Sequence, residues 1–205
     1  MKFIDFKKQY KYLYSPKPGI PEIVNVPLMQ FMMVDGQGDP NNSKQFQEAI
    51  TALYSTAYTL KFTRKKLAKL PDFSIGALEG LWWNPGGKKY EMGKKADWLW
   101  TLMVWLPDFI TKADLEGIVS ELKTKKPNPA LAGICLESVK EGTAVQIMHI
   151  GPYTEEKPNI DKMTAYAAEQ GYSQSGKHHE IYLGDPRRAK PEKLRTILRH
   201  PIKKM

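Results

Sequence analysis

One stretch limits the possible folds more than any other. From about Ser43 to Leu67, the residues Phe46, Ile50, Leu53, Ala57 and Leu60 recur at three- and four-residue steps. That spacing predicts a long helix with a single apolar stripe. Asn41, Asn42 and Ser43 are suitable N-caps, and Pro71 ends the segment. The Arg64-Lys65-Lys66 run reads as a solvated helix end that complements the helix dipole.

Strand-like runs flank this helix. Ile23–Val26 and Leu28–Val34 read as two strands separated at Pro27, and Phe73–Trp83 and Trp98–Leu106 as two more. The polar Lys88–Asp97 stretch joins the second pair as a long hairpin loop. All five tryptophans lie in that pair; two or three suit a core, and the rest suit the flat walls of a binding surface. Gly36-Gln37-Gly38-Asp39-Pro40 reads as a plain turn, since the dinucleotide fingerprint needs a third glycine.

A similar order then returns. Thr111 is placed to cap a shorter helix, with Asp114 at its third position and Leu115, Ile118, Val119 and Leu122 as its apolar face. Lys125-Lys126-Pro127-Asn128-Pro129 reads as a linker. Ala132–Val139 and Thr143–Ile150 read as a hairpin turning at Glu141-Gly142. A helix from near Lys157 to Gln170 precedes a strand at His178–Leu183, and Pro191 opens a last short helix facing inward through Leu194, Ile197 and Leu198. This points to a duplicated unit. Met29–Val34 can be laid on Val145–Ile150, and Met103–Asp108 on Glu180–Asp185. The second alignment pairs Glu180 with Met103 and Tyr182 with Trp105, giving a cleft with aromatic walls and one carboxylate.

Alternation on the His178 strand sets His178, Glu180 and Tyr182 on one face and His179, Ile181 and Leu183 on the other. A carboxylate in an apolar strand is paired, protonated or in use. Glu180 is therefore the candidate functional acid, with a salt bridge as the plain alternative. Glu137 and Glu79 are candidate second acids. His149, His178, His179 and His200 lack a metal-ligand pattern, because neighbouring strand residues point oppositely; hydrogen-bonding roles are expected. Cys135, the single cysteine, excludes an internal disulfide framework and reads as a small buried hydrophobe.

No apolar run reaches the roughly 18 residues of a membrane helix, and no signal-peptide core opens the chain, so a cytoplasmic location is expected. Of the net charge of +9, +4 sits in residues 1–20 and +7 in 187–205, so the body carries −2. With the charge at the ends and no helix-turn-helix, zinc finger or RNA-binding strand motif, specific nucleic-acid binding is not expected. Residues 1–20 read as a basic extension whose Phe3, Phe6, Tyr10, Tyr12 and Tyr14 lie over the body.

Three motifs together resemble a known family: Gln146–Tyr153 (QIMHIGPY), His178–Pro186 (HHEIYLGDP) and, upstream, Leu78–Trp83 (LEGLWW). Over about residues 20 to 203 the chain is similar to the GyrI-like small-molecule-binding domain in its stand-alone bacterial form. The resemblance implies an α+β fold of duplicated β-α-β-β (SHS2-like) units with pseudo-two-fold symmetry and a central ligand groove. It would run as one domain over 21–205, with repeats at about 21–109 and 110–205. It also implies flat hydrophobic or cationic ligands, held by an acidic residue among aromatics. Some stand-alone members hydrolyse cyclopropanoid DNA-alkylating compounds, and related members inhibit DNA gyrase. Glu180 matches the acidic position. As an enzyme, Glu180 would deprotonate a water, and Tyr182 or Tyr153 would donate to the carbonyl that gains charge. Trp82, Met103, Trp105, Glu137 and Tyr153 complete the expected binding set, with no cofactor or metal. A non-catalytic ligand sensor and a protein-interaction role, with gyrase as a possible partner, are the alternatives.

Overall fold

The computed structural model describes residues 3–67, 71–87 and 97–205; the expected loop at 88–96 lies outside them. Two single-turn helices, α1 (Phe6–Gln9) and α2 (Lys11–Tyr14), lead into β1 (Glu22–Gln37) and the long α3 (Lys44–Leu67). Then come β2 (Leu78–Trp83), β3 (Leu99–Trp105), α4 (Lys112–Lys125), β4 (Cys135–Ile150), α5 (Lys157–Glu169), β5 (Tyr172–Gln174), β6 (His178–Tyr182) and β7 (Arg195–Lys204). Every strand pairing is antiparallel, in the order β4-β1-β3-β2-β6-β7-β5, and β4 also pairs with β7. That last pairing closes six strands into a ring.

Three expectations about strand boundaries need correction. Pro27 does not divide its segment into separate strands, since β1 runs through it unbroken. Glu141-Gly142 is not a hairpin turn: Gly142 takes a positive φ of 69° inside one continuous β4. Both strands are long enough to pair with each other over most of their length, and this outweighs the local turn signals. The segment after Pro191 is a single 3-10 turn followed by β7. Leu194, Ile197 and Leu198 are buried there, but Ile197 and Leu198 alternate between faces as strand residues do.

The ring has two faces. A ring of six strands encloses side chains only, so the helices pack outside it. Phe46, Ala49, Leu53, Ala57 and Leu60 of α3 cover Met32, Val34, Trp100, Leu102 and Val104. Met163 and Ala167 of α5 cover Val145, Ile147 and Leu198. Inside lie Met29, Phe31, Met33, Met103, Trp105, Met148, Ile181 and Ile197. The N-terminal segment seals this inner core instead of lying over the body. Phe6 and Leu13 are fully buried, and Phe6 stacks on Trp105 with centroids 4.5 Å apart at 19°. Phe3 and Tyr12 stay half exposed. Backbone contacts hold the segment: Ile4 bridges Phe73, and the Phe6 N–H donates to Ser74 Oγ.

Helix α4 starts as its sequence predicts. Thr111 Oγ1 accepts from the Asp114 N–H (3.2 Å), and Asp114 accepts from the Thr111 N–H (2.9 Å). Arg64, expected in solvent, donates to the same carboxylate at 2.6 Å. Thr111→Ala should cost about 1 kcal/mol. In a chain of this size that lowers the melting temperature by about 2–4 °C; an unshifted melt would show the cap contributes nothing.

Candidate functional site

The seam between the α3 half and the α5 half runs along β6. One row across the outer face reads Leu102, Gly80, Glu180, Leu198 and Ile147, each opposite the next. Glu180 therefore sits on the outer face, between the patches covered by α3 and α5, and is 6% exposed. Its two oxygens are held separately. The Tyr182 hydroxyl donates to Oε2 at 2.6 Å, and His178 Nε2–H donates to Oε1 at 2.9 Å. His178 Nδ1 lies 2.7 Å from His200 Nε2, a contact that takes one proton. Burial, and then the neighbouring His178, push the His200 pKa well down, so His200 is neutral.

Aromatic groups surround the carboxylate. Tyr153, on the turn before α5, stands edge-on to Tyr182 with centroids 5.7 Å apart. Burial, then Glu156 and Glu180, raise its pKa to about 12. Burial, then Glu180, raise that of Tyr182 well above 10. Both phenols keep their protons at neutral pH, and that of Tyr182 is committed to Glu180. Trp82 shares this face, buried against Phe46 and Trp98. Gly80, directly across from Glu180, has no room for a side chain: a Cβ there would lie 2.8 Å from Trp82 Nε1 and 3.3 Å from the Tyr182 hydroxyl.

The structure divides the expected site residues. Glu180, Tyr182, Trp82 and Tyr153 come together. Met103 and Trp105 do not, because they lie on the inner face beneath Phe6. The row through Glu180 crosses β3 at Leu102, so Met103 points the opposite way, as a one-residue step on a strand requires. Glu137 is exposed near the start of β4, opposite Phe31, and lines a shallow cleft with Gln30, Asp108 and Ser138. Cys135 is exposed there too, not buried.

Glu79 belongs to a second polar cluster, inside the ring. The Tyr14 hydroxyl donates to Glu79 (2.8 Å), and His179 donates from Nε2 to Glu79 (2.9 Å) and from Nδ1 to Glu141 (3.0 Å). Arg199 donates to Glu141 (3.1 Å), to Gln146 Oε1 (3.0 and 2.9 Å) and to the Leu13 carbonyl (2.9 Å). Burial alone would lower the His179 pKa, but Glu141 and Glu79 raise it to about 9. Burial would raise the Glu141 pKa, but His179 and Arg199 bring it down to about 2. A histidine raised in the folded state stabilises fully below its unfolded pKa of about 6.5 and loses that as pH rises through 9. The depressed Glu141 stabilises above its unfolded pKa of about 4.5 and loses that as pH falls toward 2. Denaturant midpoints should therefore decline on the alkaline side between about pH 6.5 and 9, and His179→Gln should flatten that limb.

A family model described as the GyrI-like small molecule binding domain matches residues 20–203. The chain belongs to the GyrI-like small-molecule-binding family. Solved structures place this GyrI-like domain more closely. An uncharacterized conserved protein from Listeria innocua is 41% identical, with TM-score 0.89, over 98% of this chain and 100% of that one. A hydrolase from Listeria innocua is 39% identical, with the same TM-score and coverage. The C-terminal domain of EcmrR shares the fold at 12% identity and TM-score 0.55, over 91% of this chain and 98% of that one. No curated protein matches the sequence. Gly80 lies in the LEGLWW motif and His178 in HHEIYLGDP, but the close approach at Gly80 and the contact of His178 with His200 were not expected from either. A glycine in mid-strand is itself a sign of close approach.

Proposed function

We propose that this GyrI-like domain binds flat hydrophobic molecules at the seam between α3 and α5, and hydrolyses those carrying a cyclopropane conjugated to a carbonyl. The observation that carries the reading is Glu180: a carboxylate 6% exposed, facing a glycine and ringed by Trp82, Tyr153 and Tyr182. Tyr153 stands on a single turn beside the carboxylate and not within a long element. Glu180 takes a proton from water, whose oxygen bonds to a ring carbon. The strained C–C bond breaks, and its electron pair moves into the conjugated carbonyl, which then takes up a proton. The sum is addition of one water. The hydrogen bonds from His178 and Tyr182, which orient Glu180, support a general-base role for it. The 39% identity to a hydrolase supports chemistry here over binding alone. Natural substrates would be cyclopropanoid DNA-alkylating toxins, and the role cell protection in the cytoplasm.

A duplicated origin fits the same structure. Laying Met29–Val34 on Val145–Ile150 sets the inward Met29 and Phe31 on the outward Val145 and Ile147, so that alignment crosses faces and does not carry the duplication. The strand order alone carries it: a two-fold that exchanges β1 with β4, β3 with β7 and β2 with β6 follows the ring's own pairings. The β3-on-β6 alignment does not survive this exchange. Each unit is then β-α-β-β, with repeats near 21–109 and 110–205.

The ligand-sensor alternative uses the same carboxylate to offset a cationic aromatic. Incubating the purified protein with a cyclopropanoid alkylator and analysing by mass spectrometry should give a product heavier by one water. Saturable binding with no such product would leave a sensor.

A further inference from the structure

Trp82 is 2% exposed, and its Nε1–H has no hydrogen-bond partner among the described residues. A buried polar group left unpaired is costly and uncommon in folded proteins. Its Nε1 lies close over Gly80, 2.8 Å from where a Cβ would stand and beside the Tyr182 hydroxyl, and Gly80 is the residue directly across from Glu180. Other donors near that point are spoken for: the Tyr182 hydroxyl and His178 Nε2–H both donate to Glu180. A second buried group without a partner among the described residues, Thr196 Oγ1, lies opposite Tyr182 on β7.

We propose that the Trp82 indole N–H anchors a ligand oxygen, so that the seam selects flat aromatic compounds with a ring-bound carbonyl over plain hydrocarbons. This rests on the seam reading above and gives Trp82 a role beyond that of a wall. The indole is held rigidly by Phe46 and Trp98, with centroids at 5.8 and 5.6 Å, so its N–H direction is preset. A preset donor in a dry site loses little on ordering and favours an oxygen that gains negative charge. During ring opening the same oxygen becomes the oxyanion, and Trp82 then acts where Tyr182, its proton held by Glu180, does not.

The test compares two probes of one shape, 9-fluorenone and fluorene, which differ by the carbonyl. Wild-type protein should bind fluorenone about tenfold more tightly, as one neutral hydrogen bond implies. In protein carrying ¹⁵N-labelled tryptophan, fluorenone but not fluorene should move one indole N–H resonance downfield. Trp82→Phe keeps a ring and removes the N–H; it should erase both the preference and that resonance. Equal weakening of both probes by Trp82→Phe, or an unmoved indole resonance in saturated wild-type protein, would overturn the anchor and leave the seam standing. If wild-type protein binds neither probe, the seam reading falls and the anchor falls with it. The resonance measurement needs only wild-type protein, so it decides even if the variant fails to fold.

Discussion

Replacing Glu180 with glutamine should reduce turnover of a cyclopropanoid substrate by about 10²–10⁴-fold, the span expected for loss of a general base. Glutamine preserves size and accepts one of the two hydrogen bonds that hold the carboxylate, from His178 or Tyr182. It removes the charge and the proton acceptor. A neutral flat ligand should still bind, because the ring walls remain. If Glu180 serves only to offset a cation, cationic ligands weaken, neutral ones hold, and wild-type protein shows no turnover to lose. Unchanged turnover and binding, with an unchanged circular dichroism spectrum, would make Glu180 a structural partner of His178 and sink the site.

The largest loss of stability should follow Arg199→Met. Arg199 is 1% exposed and supports Glu141, Gln146 and the Leu13 carbonyl together. Methionine fills much of the same volume but strands a buried carboxylate and a buried carbonyl. Breaking such a pair from one side costs about 3–5 kcal/mol. At about 2–4 °C per kcal/mol, the melt should fall by roughly 6–20 °C. Adding Glu141→Gln removes the stranded charge and should recover some of the loss. A single variant that melts within a degree of wild type would show that this network does not hold the segment in place.

Some of this was legible in the residues alone. Alternation set His178, Glu180 and Tyr182 on one face, and hydrogen bonds join them there. The spacing from Phe46 to Leu60 gave α3 and its buried stripe. Trp105 and Met103 were misplaced because motif similarity says nothing about which face a strand presents; only pairing with β2 and β6 decides that. The strand at Arg195–Lys204 was hidden behind Pro191, whose helix-start signal is local, whereas β7 exists through partners on β4 and β6. Arg199 looked like a piece of a basic tail for the same reason: its carboxylate partner lies 58 residues away.

The ring's closure has a consequence for the order in which the chain can fold. The strand that completes it, β7, is made after the ring's other strands, yet it pairs with β4 and β6 and, through Arg199, holds the carbonyl of Leu13, 186 residues earlier. Residues 3–15 are made before every strand of the ring and cannot be locked in until its closing strand exists. Contacts so distant in sequence make for slow folding and leave apolar surface open meanwhile. Phe6, Leu13 and Trp105 are that surface. A chain stopped before Arg195 should therefore be cut by protease near residues 3–15 while the full chain resists there; equal resistance would mean that the segment docks without the closing strand.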